Sequence, residues 1–190
     1  MRKWSVLLAL ALLLSAAAAS RAPAADEYAV DAMHTGVTFK ISHLGLSWTY
    51  GRFNDVSGSF TIGESADKCS FALTIKAESV DTGNKKRDEH LRSPDFFNAK
   101  QYPVIKFEST AVKEIKGGYE VTGDLTLHGV TKPVTITLVG GRTAEFPKGV
   151  QRTGYSGDLA IKRSEFGMDK MVGAIGDEVY ISLSFEGTRK

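Results

Sequence analysis

Strict alternation of apolar with small or polar residues recurs along most of this chain, and it constrains the fold more than any other feature. Val37, Phe39 and Ile41 alternate with Thr38, Lys40 and Ser42, and Phe71, Leu73 and Ile75 with Ala72, Thr74 and Lys76. A period of two sends successive side chains to opposite faces of a pleated strand, so each run buries one face and exposes the other. Ile105 and Phe107 keep the step, as do Tyr119, Val121, Leu125 and Leu127, then Val134, Ile136 and Leu138. Tyr155, Leu159 and Ile161 follow, and finally Val179, Ile181, Leu183 and Phe185. With shorter runs at 27–31 and 56–62, the pattern predicts eight or nine strands. Turn residues separate them at 63–68, 116–119, 128–133 and 140–149. Connections this short make sequential strands antiparallel neighbours.

An antiparallel sheet with one apolar face either stacks on a second sheet or closes on itself. Several of the runs approach ten residues, longer than the usual strand of about five to six. The expected fold is therefore all-β, a single extended antiparallel barrel of about eight strands. Such a barrel is filled by its own side chains or holds one small ligand. Gly58, Gly123 and Gly157 inside the runs mark sharp bending or the close approach of another group.

Residues 1–25 read as a secretory signal peptide. Arg2 and Lys3 precede the apolar run Val6–Leu14, and small residues follow, with cleavage expected near Ala24 or Ala25. Its removal takes Arg2, Lys3 and Arg21 from the 24 basic residues, leaving 21 against 22 acidic ones. A nearly neutral domain over 26–190 offers no electrostatic footprint for nucleic acid. Cys69, the only cysteine, keeps step with Phe71 and Leu73, which makes it a buried thiol rather than half of an internal disulfide.

One stretch breaks the alternation: "RDEHLRSPDFFNAKQYP", residues 87–103. Asn84 is a suitable N-cap, and residues 85–92 contain no glycine, proline or β-branched residue, so a two-turn helix is expected there. Ser93 and Pro94 open a further single turn carrying Phe96 and Phe97, and Pro103 starts the next strand. The stretch reads as a helical plug seated through Leu91, Phe96 and Phe97.

"DTGNKKRDEHLRSPDFFNAKQYPVIKFEST", followed by "VTGDLTLHGVTKPVT", resembles the signature of the YceI-like family of exported polyisoprenoid-binding proteins. "YAVDAMHTGVTFKISHLGLSWTYGRF" near the start and "IGDEVYISLSFEG" near the end are similar to that family's ends, so the resemblance runs from Tyr28 to Gly187. It implies a periplasmic, lipocalin-like barrel with one or two short helices at its end and an apolar tunnel for a prenyl chain or similar amphiphile. The ligand would be a long-chain isoprenoid, a quinone or a prenyl phosphate, with no other cofactor. Transient contact with a membrane or membrane protein would accompany its transfer. The inward set then supplies the tunnel: Phe39, Ile41, Phe71, Leu73, Ile75, Ile105, Phe107, Val121, Leu125, Ile136, Leu138, Leu159, Ile161, Ile181 and Leu183. Arg87, His90, Leu91, Phe96 and Phe97 would form a mouth or lid. Met168, Met171 and Val172, in the glycine-bearing stretch 164–178, either join that mouth or fold back over the barrel end.

The charged residues of the plug admit two roles. Arg87, His90 and Arg92 either touch a lipid head group or fix the plug to neighbouring loops. His34, His43, His90 and His128 lack the spacing of a zinc site, so no metal is expected. "GYSGD" falls short of a nucleophile elbow, and no catalytic residue is assigned. Two alternatives to a carrier remain at this level. A lipid-modifying enzyme would need His90 beside a carboxylate facing the lumen, and an interaction or stress-response module would have a barrel packed solid.

Overall fold

The computed structural model of the chain describes residues 25–190. The signal peptide read over residues 1–25 lies, but for its last residue, outside the described residues. Eleven strand segments follow: β1 (Asp26–Val30), β2 (Gly36–His43), β3 (Ser47–Phe53), β4 (Val56–Ile62), β5 (Ser70–Lys76) and β6 (Val80–Asp81), then β7 (Val104–Ile115), β8 (Gly118–Leu127), β9 (Val130–Glu145), β10 (Gln151–Lys162) and β11 (Ile175–Arg189). The helix α1 (Lys85–Arg92) lies between β6 and β7.

These segments fill eight positions of one closed antiparallel barrel. Both β1 and β2 pair with β11, β4 continues β3 beside them, and β6 continues β5. Three long strands are thus each interrupted midway, and the β1–β11 pairing closes the ring. Closure removes the long open edge that a flat sheet would present, leaving unpaired only short stretches such as one side of β6 and of the start of β9. Because the strands form a meander, the turn at 44–46, the 82–103 excursion, His128-Gly129 and the 163–174 loop share one end, here called the upper end.

Two separators differ from expectation. The segment 128–133 is a turn only at His128 and Gly129, both at positive φ, after which β9 starts at Val130. This is the geometry that a two-residue hairpin with right-twisted strands demands. Pro133 is tolerated inside β9 because the β9–β10 ladder begins only at Thr137, so Pro133 has no strand on its second side. The segment 140–149 is likewise mostly strand: β9 runs on to Glu145, and the ladder slips between Thr153 and Tyr155. That bulge breaks the period of two and imitates a loop.

The glycines inside strands make room for neighbours in the wall. A Cβ on Gly123 would stand 2.5 Å from the Phe107 ring, so this glycine accommodates a core side chain.

The lower end is closed by aromatic rings. Tyr28, Phe60 and Phe71 sit on neighbouring strands in cross-strand register, as do Tyr155 and Phe185. Phe60 stacks on Tyr28 at 5.0 Å between centroids and meets Phe185 and Tyr155 edge-on at 5.4 and 5.9 Å. Tyr119 joins through Phe71 and Tyr155. Burial, and secondarily the nearby Cys69 thiol, pushes the Tyr119 phenol up to about 12. Cys69 itself is buried beneath this cluster and free.

The break between β1 and β2 is organised by Asp31. Its carboxylate accepts from the Met33 backbone N–H at 3.0 Å, contacts His34 Nδ1 at 2.9 Å and accepts from Arg152 Nη1 at 2.6 Å. The Arg152 hydrogen bond first, then those from His34 and Met33, hold the Asp31 carboxyl well below the usual carboxylate range. A depressed folded-state pKa adds stability that is complete above the unfolded value of about 3.9 and is lost as pH falls towards the folded one. Asp31→Asn should therefore melt below the wild type at neutral pH, with the gap closing as the pH drops beneath the ordinary aspartate range. Thermal melts across that range check this, and a gap that widens in acid would contradict it.

Candidate functional site

Above the aromatic floor the barrel is hollow. A cavity of about 560 Å³ runs up to the upper end. Its wall is hydrocarbon because the inward step of the alternation is occupied by apolar side chains on nearly every strand. Phe39, Ile41, Leu73, Ile75, Ile105, Phe107, Leu125, Ile136, Leu159, Ile161, Ile181 and Leu183 line it. Inward Leu159, Ile181, Phe39 and Leu73 are only half-buried. Their free surface faces the lumen, as expected where core positions lack a partner across the barrel.

Phe71, Val121 and Leu138, also read as tunnel residues, do not line the cavity, and this is a correction. Phe71 belongs to the aromatic floor, Val121 is fully buried, and Leu138 pairs with Tyr119 at the floor's height. Alternation assigns a residue to a face of a strand but not to a height along the barrel. Val121 is inward and packed, so a larger side chain there would probe overpacking and not the bore.

The mouth is built by the two upper segments that interrupt the sheet. Asn84 caps α1, accepting from the Arg87 N–H at 3.1 Å. Buried Asp88 accepts from the Thr82 N–H at 2.9 Å and from the Thr82 hydroxyl, which in turn accepts from Arg87 Nε at 2.7 Å. Arg92 donates to the Glu78 and Val80 carbonyls at 2.6 and 2.8 Å. The guanidinium groups of Arg87 and Arg92 are thus engaged in tying the plug to the end of β6. Phe97 meets Phe53 edge-on at 5.5 Å, and Phe96 meets the His90 ring at 4.9 Å.

His90 Nε2 lies 2.9 Å from Asp95 Oδ2, and Lys170 Nζ lies 3.7 Å from the other oxygen of the same carboxylate. The His90 hydrogen bond first, and then the Lys170 charge, hold the Asp95 carboxyl below its usual value against the opposing effect of desolvation. The pair links the plug to the 163–174 loop. His90 lines the cavity and Asp95 is not among its lining residues. Arg87, Leu91, Phe96, Phe97, Met168 and Met171 also border the cavity. Val172 does not, a second correction: it forms an isolated bridge with Ile175 and is half-exposed. Among the described residues no three His, Cys, Asp or Glu side chains are grouped to hold a metal.

Sequence reasoning passed over Arg163. It is 3% exposed and donates to four backbone carbonyls, Met168 at 2.7 Å and Lys170 at 2.8 Å in the upper loop and Ile175 at 3.2 Å and Gly176 at 2.9 Å at the start of β11. Ser164 fastens the same loop, donating through its N–H and hydroxyl to Asp177 at 2.9 and 2.8 Å. The signal was present, because Arg163 continues the inward step of Leu159 and Ile161. A charge at an inward position marks a buried group that needs partners. Val37, Phe53, Leu127, Val134 and Val179 complete the wall.

The arrangement is a closed barrel with a sealed floor, an apolar chamber and a polar rim. It can take up the chain of an amphiphile and leave its head at the mouth. Comparison with known proteins supports this architecture. The model of the YceI-like domain matches residues 28–187. The UPF0312 protein of Pseudomonas aeruginosa is 46% identical over 191 residues, covering 97% of each chain. BcnA of Burkholderia cenocepacia superposes with a TM-score of 0.75 at 28% identity, covering 83% of this chain and 98% of its own. A polyisoprenoid binding domain from Saccharophagus degradans implicated in plant cell wall breakdown has the same fold, with a TM-score of 0.64 at 20% identity over 86% of this chain and 98% of that one.

Proposed function

From the premise that this chain belongs to the YceI-like family, we propose that it is an exported carrier which holds a polyisoprenoid or similar long-chain amphiphile in the barrel. The observation that carries the reading is the 560 Å³ apolar chamber, bordered at the upper end by Lys86, Arg87, His90 and Met171. Its volume falls within the range of about 300–1,000 Å³ that encloses most of a small ligand. Each methylene moved from water into such a chamber gains about 0.8 kcal/mol, so a prenyl chain is held by area alone. Lys86, Arg87 and His90 border the mouth, where a quinone or prenyl-phosphate head would rest. Binding without covalent chemistry fits a lumen whose wall is hydrocarbon, and the structural kinship with a polyisoprenoid binding domain supports the ligand class. The signal-peptide pattern of residues 1–25 supports periplasmic transport as the setting. A barrel packed solid, as an interaction module would have, does not fit the open chamber.

Leu159→Trp tests the chamber. Leu159 faces the lumen opposite Ile181 in the β10–β11 ladder. Where the space is empty or filled by ligand, the indole should cost less than about 1 kcal/mol, whereas a packed core would lose about 1–3 kcal/mol or more. The variant should fold with a wild-type circular dichroism spectrum and lose its long-chain lipid. A variant that keeps its lipid at the wild-type level would overturn the assignment of this chamber as the binding site.

A further inference from the structure

We propose that the upper rim docks on a lipid bilayer, with the tip of the β2–β3 hairpin sunk into the headgroup layer and the cavity mouth facing the membrane. The docking is argued from the surface alone, while its use in loading the chamber rests on the carrier reading above.

The hairpin tip places Leu44 and Leu46 in water, 55% and 83% exposed. Their positions are not frayed. Leu44 and Gly45 both take positive φ in a tight turn, the Leu46 N–H donates to the His43 carbonyl at 3.0 Å, and the Leu44 N–H donates to the Ala174 carbonyl at 2.7 Å. That last bond ties the tip to the 163–174 loop, where Met171 and Val172 are also about half-exposed. Exposed apolar side chains from two hydrogen-bonded segments thus lie at the upper end, Met171 among them bordering the cavity. An ordered apolar cluster of this kind marks an interaction surface.

The side of the barrel beneath the tip favours a bilayer over a protein. Lys40, Tyr50 and Tyr180 stand side by side on β2, β3 and β11, and Trp48 lies opposite Ser42. Trp48 and Tyr180 meet edge-on at 5.5 Å, with Lys40 Nζ 4.8 and 5.4 Å from their ring centroids. Tryptophan, tyrosine and lysine thus share one outward patch over two successive register positions, the residue types of the girdle that membrane proteins place among lipid headgroups, because each has an apolar body and a polar end. Trp48 is two residues below Leu46, about 6–7 Å along a strand. Insertion to that level matches the depth of about 5–10 Å at which interfacial elements settle. Exposed Lys86 borders the mouth and exposed Lys85 precedes it on α1, cations suited to lipid phosphates.

The barrel from Asp26 to Lys190, which contains every strand of the closed sheet, is mixed with vesicles of phosphatidylethanolamine and phosphatidylglycerol and separated by flotation. Trp48 is the only tryptophan in those residues, so its emission reports on the rim. The wild type should float with the vesicles and shift to the blue. Leu44→Asn combined with Leu46→Ser should lower partitioning by at least about tenfold, since two leucine side chains lose their burial. Asparagine tolerates the positive φ of position 44, and neither residue lines the cavity, so melting temperature and lipid content should stay at the wild-type level. Equal flotation of the double variant would overturn the proposal. So would a wild type that stays with the soluble fraction, whether as a monomer or as a dimer that the double variant dissociates. A soluble wild type still carrying lipid would remove the docking and leave the carrier standing. One that floats but yields no lipid would do the reverse.

Discussion

Phe60→Ala is expected to destabilise the barrel by about 3–5 kcal/mol, the range for truncating a buried aromatic ring. Phe60 is 2% exposed and touches rings on both flanking strands and across the floor. The ring removed contributes area burial and edge-to-face contacts worth roughly 0.5–1.5 kcal/mol per pair. Four aromatic neighbours would then border a void that the closed sheet cannot collapse to fill. Phe60→Leu, which keeps most of the volume, should cost much less. Phe60 does not line the chamber, so the alanine variant should retain its ligand in the fraction that remains folded. Denaturant melts combined with lipid content separate the two effects. A loss of less than about 1 kcal/mol would show that the floor is not the packed end of the barrel.

The second large effect is expected at the opposite end. Arg163→Met should cost about 3 kcal/mol, because a buried acceptor left without its donor loses about 1–3 kcal/mol and four carbonyls accept from this one guanidinium, of which that of Ile175 also accepts from the Gly173 N–H. Water can reach part of a loop at the mouth, which keeps the total below four full penalties. At this chain length, 3 kcal/mol lowers Tm by roughly 6–12 °C. Arg163→Lys should recover only part of the loss, since an ammonium carries three donors and lacks the planar fork that spans all four carbonyls. Hydrogen exchange should rise first in residues 164–176. Faster exchange spread evenly over the barrel, with that loop no different, would contradict the role of Arg163 as its anchor.

What could be read from the sequence follows from which forces are local. The inward set was legible because strand period and hydrophobicity report the same face, and twelve of the fifteen residues read as tunnel do line the chamber. Phe71, Val121 and Leu138 went astray because height along a barrel depends on tilt and register, which no single strand encodes. The plug was legible for a different reason. Its cap at Asn84 and the absence of helix breakers over 85–92 act within a few residues, and the helix forms over Lys85–Arg92. The Asp31 junction was opaque because its partner Arg152 lies 121 residues away, and the Arg163 anchor because its acceptors are backbone carbonyls 5 to 13 residues on, which no side-chain pattern marks. The charge at position 163 on an inward step was the available signal. The slip near Gly140 was hidden because a bulge and a loop look alike once alternation fails.

The account turns on whether the chamber holds a long-chain amphiphile. Native mass spectrometry of the protein purified without detergent measures this directly, on the wild type alone. The prediction is a barrel heavier than its polypeptide by one long-chain amphiphile, with that extra mass released by organic extraction and recovered as an isoprenoid lipid. A wild type found only at its polypeptide mass, yielding no lipid to the solvent, would contradict it.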